Sequence, residues 1–170
     1  GTRFLLERAS GLSLASNGLI DCNLESGQRL TSRSVIIASG ASARKAGFIN
    51  EAQFTGRGVS YCATCDGLFF RNKHVFVVGG GDSAVVEALH LARLAQSVTM
   101  VVRKPYLAAS RVRQREVLED PKISVRFQAV IESVDGAHSV ETVALRDLRT
   151  GQIESLDYGD EGCGVFVAVG

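Results

Sequence analysis

The chain has 170 residues, 45% of them hydrophobic and 22% charged, with a formal net charge of +1. That length suits one domain, or one domain plus pieces of another, and buries enough surface to support a core. The near-zero charge supplies no field to gather nucleic acid or an acidic membrane, and no apolar run approaches the roughly 18 residues of a membrane span.

Residues 1–12 lack the basic–apolar–small order of a signal peptide, and the abrupt start reads as that of a fragment. The chain has four cysteines, Cys22, Cys62, Cys65 and Cys163. They are too few and too scattered for a secreted disulfide framework, so the expected setting is cytoplasmic.

Three short β-type stretches come first, at residues 3–9, 18–24 and 33–38, the last with Val35-Ile36-Ile37 as a core stretch. Turn residues between them predict an antiparallel meander. Residues 40–58 are polar and contain glycine, and read as a connector or domain boundary. The rhythm changes at His74. Residues 74–78 are a short apolar strand, of the kind buried on both faces of a parallel sheet. Residues 83–95 carry a wide apolar arc that predicts a largely covered helix, and 98–102 are a second apolar strand. Together these form a βαβ unit. A polar helix over 110–118, capped by Ser110, a strand at 123–127 and three antiparallel strands at 129–134, 140–147 and 152–156 follow. One more apolar strand closes the chain at 164–169.

Gly79-Gly80-Gly81-Asp82-Ser83-Ala84 fits G-x-G-x-x-A between a strand and a helix. The first glycine permits the tight turn, the second lets backbone approach a pyrophosphate, and the small last residue lets helix and strand pack closely. The helix start offers free N–H groups and a positive dipole end. The competing reading is a glycine turn without a ligand. At the end of the second strand, where an NAD site usually carries a carboxylate, stand Arg103 and Lys104. Two cations there suit a 2′-phosphate and favour NADPH, unless they are an ordinary solvated pair.

Cys62-Ala63-Thr64-Cys65 lies just before the βαβ unit. Thiols at this spacing close a small disulfide ring on one helical turn, and a helix N-terminus lowers a thiol pKa. Asp66 adjoins Cys65 and supplies a carboxyl group for the proton transfers of thiol–disulfide exchange. Half of a zinc site is the first alternative; it needs two more soft ligands, and Cys22, Cys163 and the three histidines form no second paired cluster. A pair of inert core cysteines is the second. Cys22 and Cys163 stand alone in or beside apolar strands, as small hydrophobes do.

Residues 58–67, Gly-Val-Ser-Tyr-Cys-Ala-Thr-Cys-Asp-Gly, closely resemble the active-site stretch of low-molecular-weight bacterial thioredoxin reductases. The resemblance continues through 69–73, 77–84 and 87–89. Val35 to Ala41 is similar to that family's flavin-domain stretch, and 165–170 to its return strand, so nearly the whole chain is covered. The resemblance implies electron flow from NADPH to FAD, then to the dithiol, then to thioredoxin. It implies Cys65 toward the flavin, Cys62 toward the thioredoxin disulfide, and Asp66 as acid–base group. Gly79, Gly80, Gly81, Asp82, Ser83 and Ala84 would form the NADPH turn, Glu87 would lie near the nicotinamide, and Arg103 and Lys104 would take the 2′-phosphate. Ala38, Ser39 and Gly40 would form one edge of the FAD site. Two alternating domain arrangements and a homodimer of the full-length protein are also implied.

The sequence departs from the family pattern in three places. The flavin-binding βαβ unit is missing before Gly1, and the segment completing the flavin site is missing after Gly170. Val102 and Ala108 stand where the family has a histidine and a further arginine, with Arg111 or Arg113 as substitutes. The expected fold is therefore α/β. It comprises a partial FAD-domain segment over 1–51, a Rossmann-like three-layer NADPH domain with an antiparallel β-meander over 52–157, and a return strand over 158–170. The expected function is thioredoxin-disulfide reductase, with this piece inactive alone and FAD held weakly. The alternatives are a non-catalytic NADPH-binding module and a related flavoprotein serving peroxiredoxin or using ferredoxin. No metal, nucleic acid or membrane is expected.

Overall fold

A computed structural model describes residues 2–40 and 42–170; Gly1 and Ala41 lie outside the described residues. The chain divides into two compact units, residues 1–42 and 43–170.

In the first unit, β1 (Ala9–Leu14), β2 (Ile20–Leu24) and β3 (Arg29–Ser32) form an antiparallel meander. Leu12 pairs with Cys22, and Cys22 with Leu30. The outer strands differ from the expected 3–9 and 33–38. The β2–β3 turn is tight: Leu24 N–H donates to Gln28 O at 2.9 Å, and Gly27 supplies a positive φ of 86°. The chain reverses at once, so residues 29–32 come alongside β2. Val35-Ile36-Ile37 is not a core stretch here. It has no strand partner, and Ile36 is 92% exposed.

The second unit is built on a parallel five-stranded sheet. Its strands are β4 (Val59–Ser60), β5 (His74–Val78), β6 (Ser97–Val102), β7 (Ile123–Phe127) and β11 (Gly164–Val167), in the order β4-β11-β5-β6-β7. Strand side chains alternate between faces, and both faces are covered. Val75, Val77, Met100, Val102 and Phe166 pack toward α2 (Asp82–Ala92) and α3 (Arg111–Glu119). Phe76, Val78, Val101, Val165 and Val167 pack toward an antiparallel layer of β8 (Ala129–Asp135), β9 (Thr142–Asp147) and β10 (Ile153–Asp157). Each fully buried Val or Phe contributes about 1.5–3 kcal/mol. This is the expected three-layer α/β fold.

Three local expectations change. Residues 164–169 were expected to return to the flavin portion; instead Gly164–Val167 lies inside the sheet, with Val165 paired to both Val59 and Phe76. Its all-apolar sequence needs cover on both faces, which only an interior position gives. The latter part of 40–58, read as a polar connector, is part of the second unit. Phe48 and Phe54 are buried beneath β5 and β8, and Ile49 N–H bonds Glu132 O at 3.0 Å. Ser110 stands at the N-cap of α3, but its side chain makes no capping bond; its own N–H donates to Asp82 Oδ1 at 3.0 Å.

Candidate functional site

Strand β5 runs into the glycine turn, and α2 starts directly from it. Gly79 has φ +141°, and a Cβ there would lie 2.4 Å from Ala168 O and 3.0 Å from Ala84 Cβ. Both the backbone conformation and the space demand glycine. A Cβ on Gly80 would meet Val102 Cγ1 at 2.7 Å, whereas one on Gly81 would meet nothing within 4 Å. Gly81 therefore faces open space at the N-cap of α2, and no side chain caps that helix end. Ala84 is fully buried against the turn.

The turn forms one side of a cavity of about 600 Å³. Gly79, Gly80, Gly81, Asp82 and Ser83 line it, as do Arg103 and Lys104 beyond β6. The 103–109 loop is held over the turn by the Ala108 N–H bond to Gly80 O, 2.7 Å long. Ala84 and Glu87 are not among the lining residues, and neither are Arg111 and Arg113. Arg113 is paired with Glu116 at 2.9 Å. Glu87 is half-buried on α2, its Oε2 has no hydrogen-bond partner, and burial raises its pKa. Ala38, Ser39 and Gly40 belong to the first unit, where they run exposed and outside any strand.

Two lining cations escaped the sequence reading: Arg44 and Lys45. With Arg103 and Lys104 they make four positive side chains against the single carboxylate of Asp82. Their only sequence signal was two adjacent cations in a segment taken for a connector. An open cradle at Gly81, an uncapped helix start and this charge fit a dinucleotide with phosphate groups.

Cys62 and Cys65 are joined in a disulfide, with Cα atoms 5.3 Å apart. Cys62 is the N-cap of the one-turn helix α1 (Ala63–Asp66), and Cys62 Sγ accepts the Cys65 N–H at 3.2 Å. Thr64 Oγ1 lies 3.3 Å from the same sulfur. Donors aimed at Sγ stabilise a thiolate there. Cys62 is half-buried and Cys65 exposed. Asp66 is half-buried and accepts from the Ser60 hydroxyl, which also accepts the Cys62 N–H at 3.1 Å. The 3₁₀ turn Gly67–Phe70 then anchors the motif: Phe70 covers Gly164 and meets Phe166 edge-on at 5.2 Å. Leu68 and Phe69 of that turn remain exposed beside the dithiol.

A buried carboxylate lies behind the motif. Glu51, 3% exposed, accepts from the Tyr61 hydroxyl at 2.9 Å, the Ala46 N–H at 2.9 Å and the Gly47 N–H at 2.6 Å. Burial, and then the bond to Glu51, raise the Tyr61 pKa. Nothing in the local sequence marked this cluster, because its members are brought together only by the fold.

Comparison with known proteins gives a consistent result. The pyridine nucleotide-disulphide oxidoreductase family matches residues 3–170. The thioredoxin reductase of Treponema pallidum is 49% identical over 126 residues, covering 74% of this chain and 41% of that protein. The Lactococcus lactis thioredoxin reductase structure superposes with a TM-score of 0.78 at 35% identity, covering 96% of this chain and 52% of that one. The Giardia duodenalis thioredoxin reductase structure gives 0.83 at 29% identity, covering 98% and 53%. The chain thus spans about half the length of the relatives it matches. With its glycine turn, cationic cavity and dithiol on one sheet, the chain belongs to the pyridine nucleotide-disulphide oxidoreductase family.

Proposed function

We infer that this chain is the dithiol and nicotinamide-nucleotide portion of a thioredoxin-disulfide reductase. The observation that carries this reading is the Cys62–Cys65 disulfide at the start of α1, in the same unit as the cation-lined cavity at the glycine turn. Gly79, Gly80, Gly81, Asp82, Ser83 and Ala84 would form the NADPH turn, with Arg103 and Lys104 on the 2′-phosphate and Glu87 toward the nicotinamide. Ala38, Ser39 and Gly40 would supply one edge of an FAD site; they do not make a flavin site by themselves. Bound flavin would supply the two electrons that open the disulfide. The scattered cysteines support a cytoplasmic setting, and the family resemblance supports a homodimer for the whole protein. Among the described residues, no helix is long and apolar enough to cross a membrane.

The chain's own chemistry is thiol–disulfide exchange. With Cys62 and Cys65 reduced, the Cys62 thiolate attacks a disulfide sulfur of thioredoxin, and the S–S bond breaks to release one thiolate. The Cys65 thiolate then attacks Cys62 Sγ in the mixed disulfide. The second thioredoxin thiolate leaves, and the Cys62–Cys65 bond re-forms. Asp66 takes the proton from Cys65 and returns it to a leaving thiolate. Two electrons pass to thioredoxin; of the two protons it gains, one is returned by Asp66 and the other comes from water. Cys62 is assigned the attack because the Cys65 N–H points at its sulfur. The exposed Leu68 and Phe69 offer apolar contact to a protein partner.

The test is to reduce the chain with a dithiol, remove the reductant and add oxidised thioredoxin. One thioredoxin disulfide should open per chain, and Cys65→Ser should accumulate a mixed disulfide through Cys62. Absence of new thioredoxin thiols overturns the reading.

A further inference from the structure

The pyrophosphate of a dinucleotide bound at the glycine turn carries two negative charges. The turn offers it N–H groups and the partial charge of a helix end, but the side chain at that end is the Asp82 carboxylate. Arg103 and Lys104 stand beyond β6, where a ribose substituent is read. The other cations lining the cavity are Arg44 and Lys45. Both are exposed, and neither enters an ion pair among the described residues.

Their segment is fixed rather than loose. Phe48 is buried on the β8 face of the sheet, the face opposite α2. The Glu51 carboxylate holds the backbone just after the cations, through Ala46 and Gly47 N–H, and the Tyr61 hydroxyl fixes that carboxylate in turn. A carboxylate nearly excluded from water is retained where it satisfies several donors at once. Here those donors belong to the strip that presents Arg44 and Lys45 to the cavity.

We propose that Arg44 and Lys45 bind the dinucleotide pyrophosphate from the face of the sheet opposite α2, and that Glu51 is the positioning residue that holds them there. The proposal rests on the dinucleotide reading of the cavity. It assigns the two basic pairs different work: Arg103 and Lys104 distinguish NADPH from NADH, while Arg44 and Lys45 strengthen both alike.

The experiment measures dissociation constants of this chain for NADPH, NADH and ADP-ribose by calorimetry. Arg44→Ala/Lys45→Ala is expected to weaken all three by a common factor of about tenfold or more, with a shallower salt dependence. Arg103→Ala/Lys104→Ala is expected to weaken NADPH selectively. Glu51→Gln should weaken all three, yet add nothing on the Arg44→Ala/Lys45→Ala background, because a positioning residue acts only through what it positions. Thermal unfolding checks that each variant is folded; the Arg44/Lys45 pair is exposed, so its test survives if Glu51→Gln does not fold. Affinity for NADH and ADP-ribose within about twofold of the parent in Arg44→Ala/Lys45→Ala overturns the pyrophosphate assignment. An undiminished Glu51→Gln effect on the double-variant background overturns the positioning role. If the unaltered chain binds none of the three, the dinucleotide reading itself falls, and this proposal with it.

Discussion

Ser60 donates its hydroxyl hydrogen to Asp66 Oδ2 at 2.7 Å from a position that is only 5% exposed. Ser60 Oγ in turn accepts the Cys62 N–H, so one side chain on β4 ties the carboxyl group to the backbone of the dithiol. Ser60→Ala should leave both partners unsatisfied. The expected cost is about 1–3 kcal/mol in urea unfolding. Exchange of the disulfide with dithiothreitol should also slow by about tenfold or more, as for a displaced acid–base group. An unchanged exchange rate in a folded variant removes Asp66 from the chemistry.

The glycine turn separates a folding role from a binding role. Gly79→Ala would place a methyl group 2.4 Å from Ala168 O in a backbone conformation that disfavours a side chain; a loss of about 2–4 kcal/mol is expected. Gly81→Ala meets no atom within 4 Å, so its stability should stay within about 1 kcal/mol of the parent. Its affinity for NADPH should nonetheless fall, since the methyl group would occupy the cradle. Paired unfolding and binding curves check both halves.

Glu87 makes stability depend on pH. Burial raises its pKa in the folded chain above the ordinary 4.5, and Oε2 has no partner. For a carboxyl group shifted upward, the folded state binds the proton more tightly. The favourable contribution is then complete below the unfolded pKa and lost as pH rises through the folded one. Glu87→Gln should therefore be more stable than the parent at pH 7, with the advantage disappearing toward pH 4. Urea unfolding at both values decides it; equal stability at pH 7 removes the buried-charge cost.

The buried free cysteine, Cys163, should differ from the dithiol in reactivity. Burial pushes the Cys163 thiol up to about 12, and its residue is 2% exposed. After gentle reduction, Cys62 and Cys65 should react with an aromatic disulfide reagent at pH 8, whereas Cys163 should react only when the chain is unfolded. Peptide mapping of the labelled sites reads this directly.

The βαβ unit was legible because its signals are local. An apolar strand, three glycines and a wide helical arc follow one another, and β5 and α2 lie within a few residues of the expected bounds. What failed depended on distant partners. Val35-Ile36-Ile37 has the composition of a strand, but the tight turn before Arg29 gave β2 a different neighbour. Phe48 and Phe54 lie in a stretch that reads as a polar connector, and only the fold sets β5 and β8 over them. Cys62, Cys65 and the glycine turn were legible from their spacing together with the elements that flank them. Arg44 and Lys45 were not, because no spacing links them to a turn that the fold alone brings near.

The seat of Gly164–Val167 sets the order in which this unit can assemble during synthesis. β4 and β5 are neighbours of that strand on either side, yet both leave the ribosome about a hundred residues earlier. Until the last strand emerges, two apolar strand edges have no partner, in a nascent chain already long enough to associate with others. The floor beneath the dithiol, where Phe70 rests on Gly164, is laid only then. The redox motif is made early and given its support last.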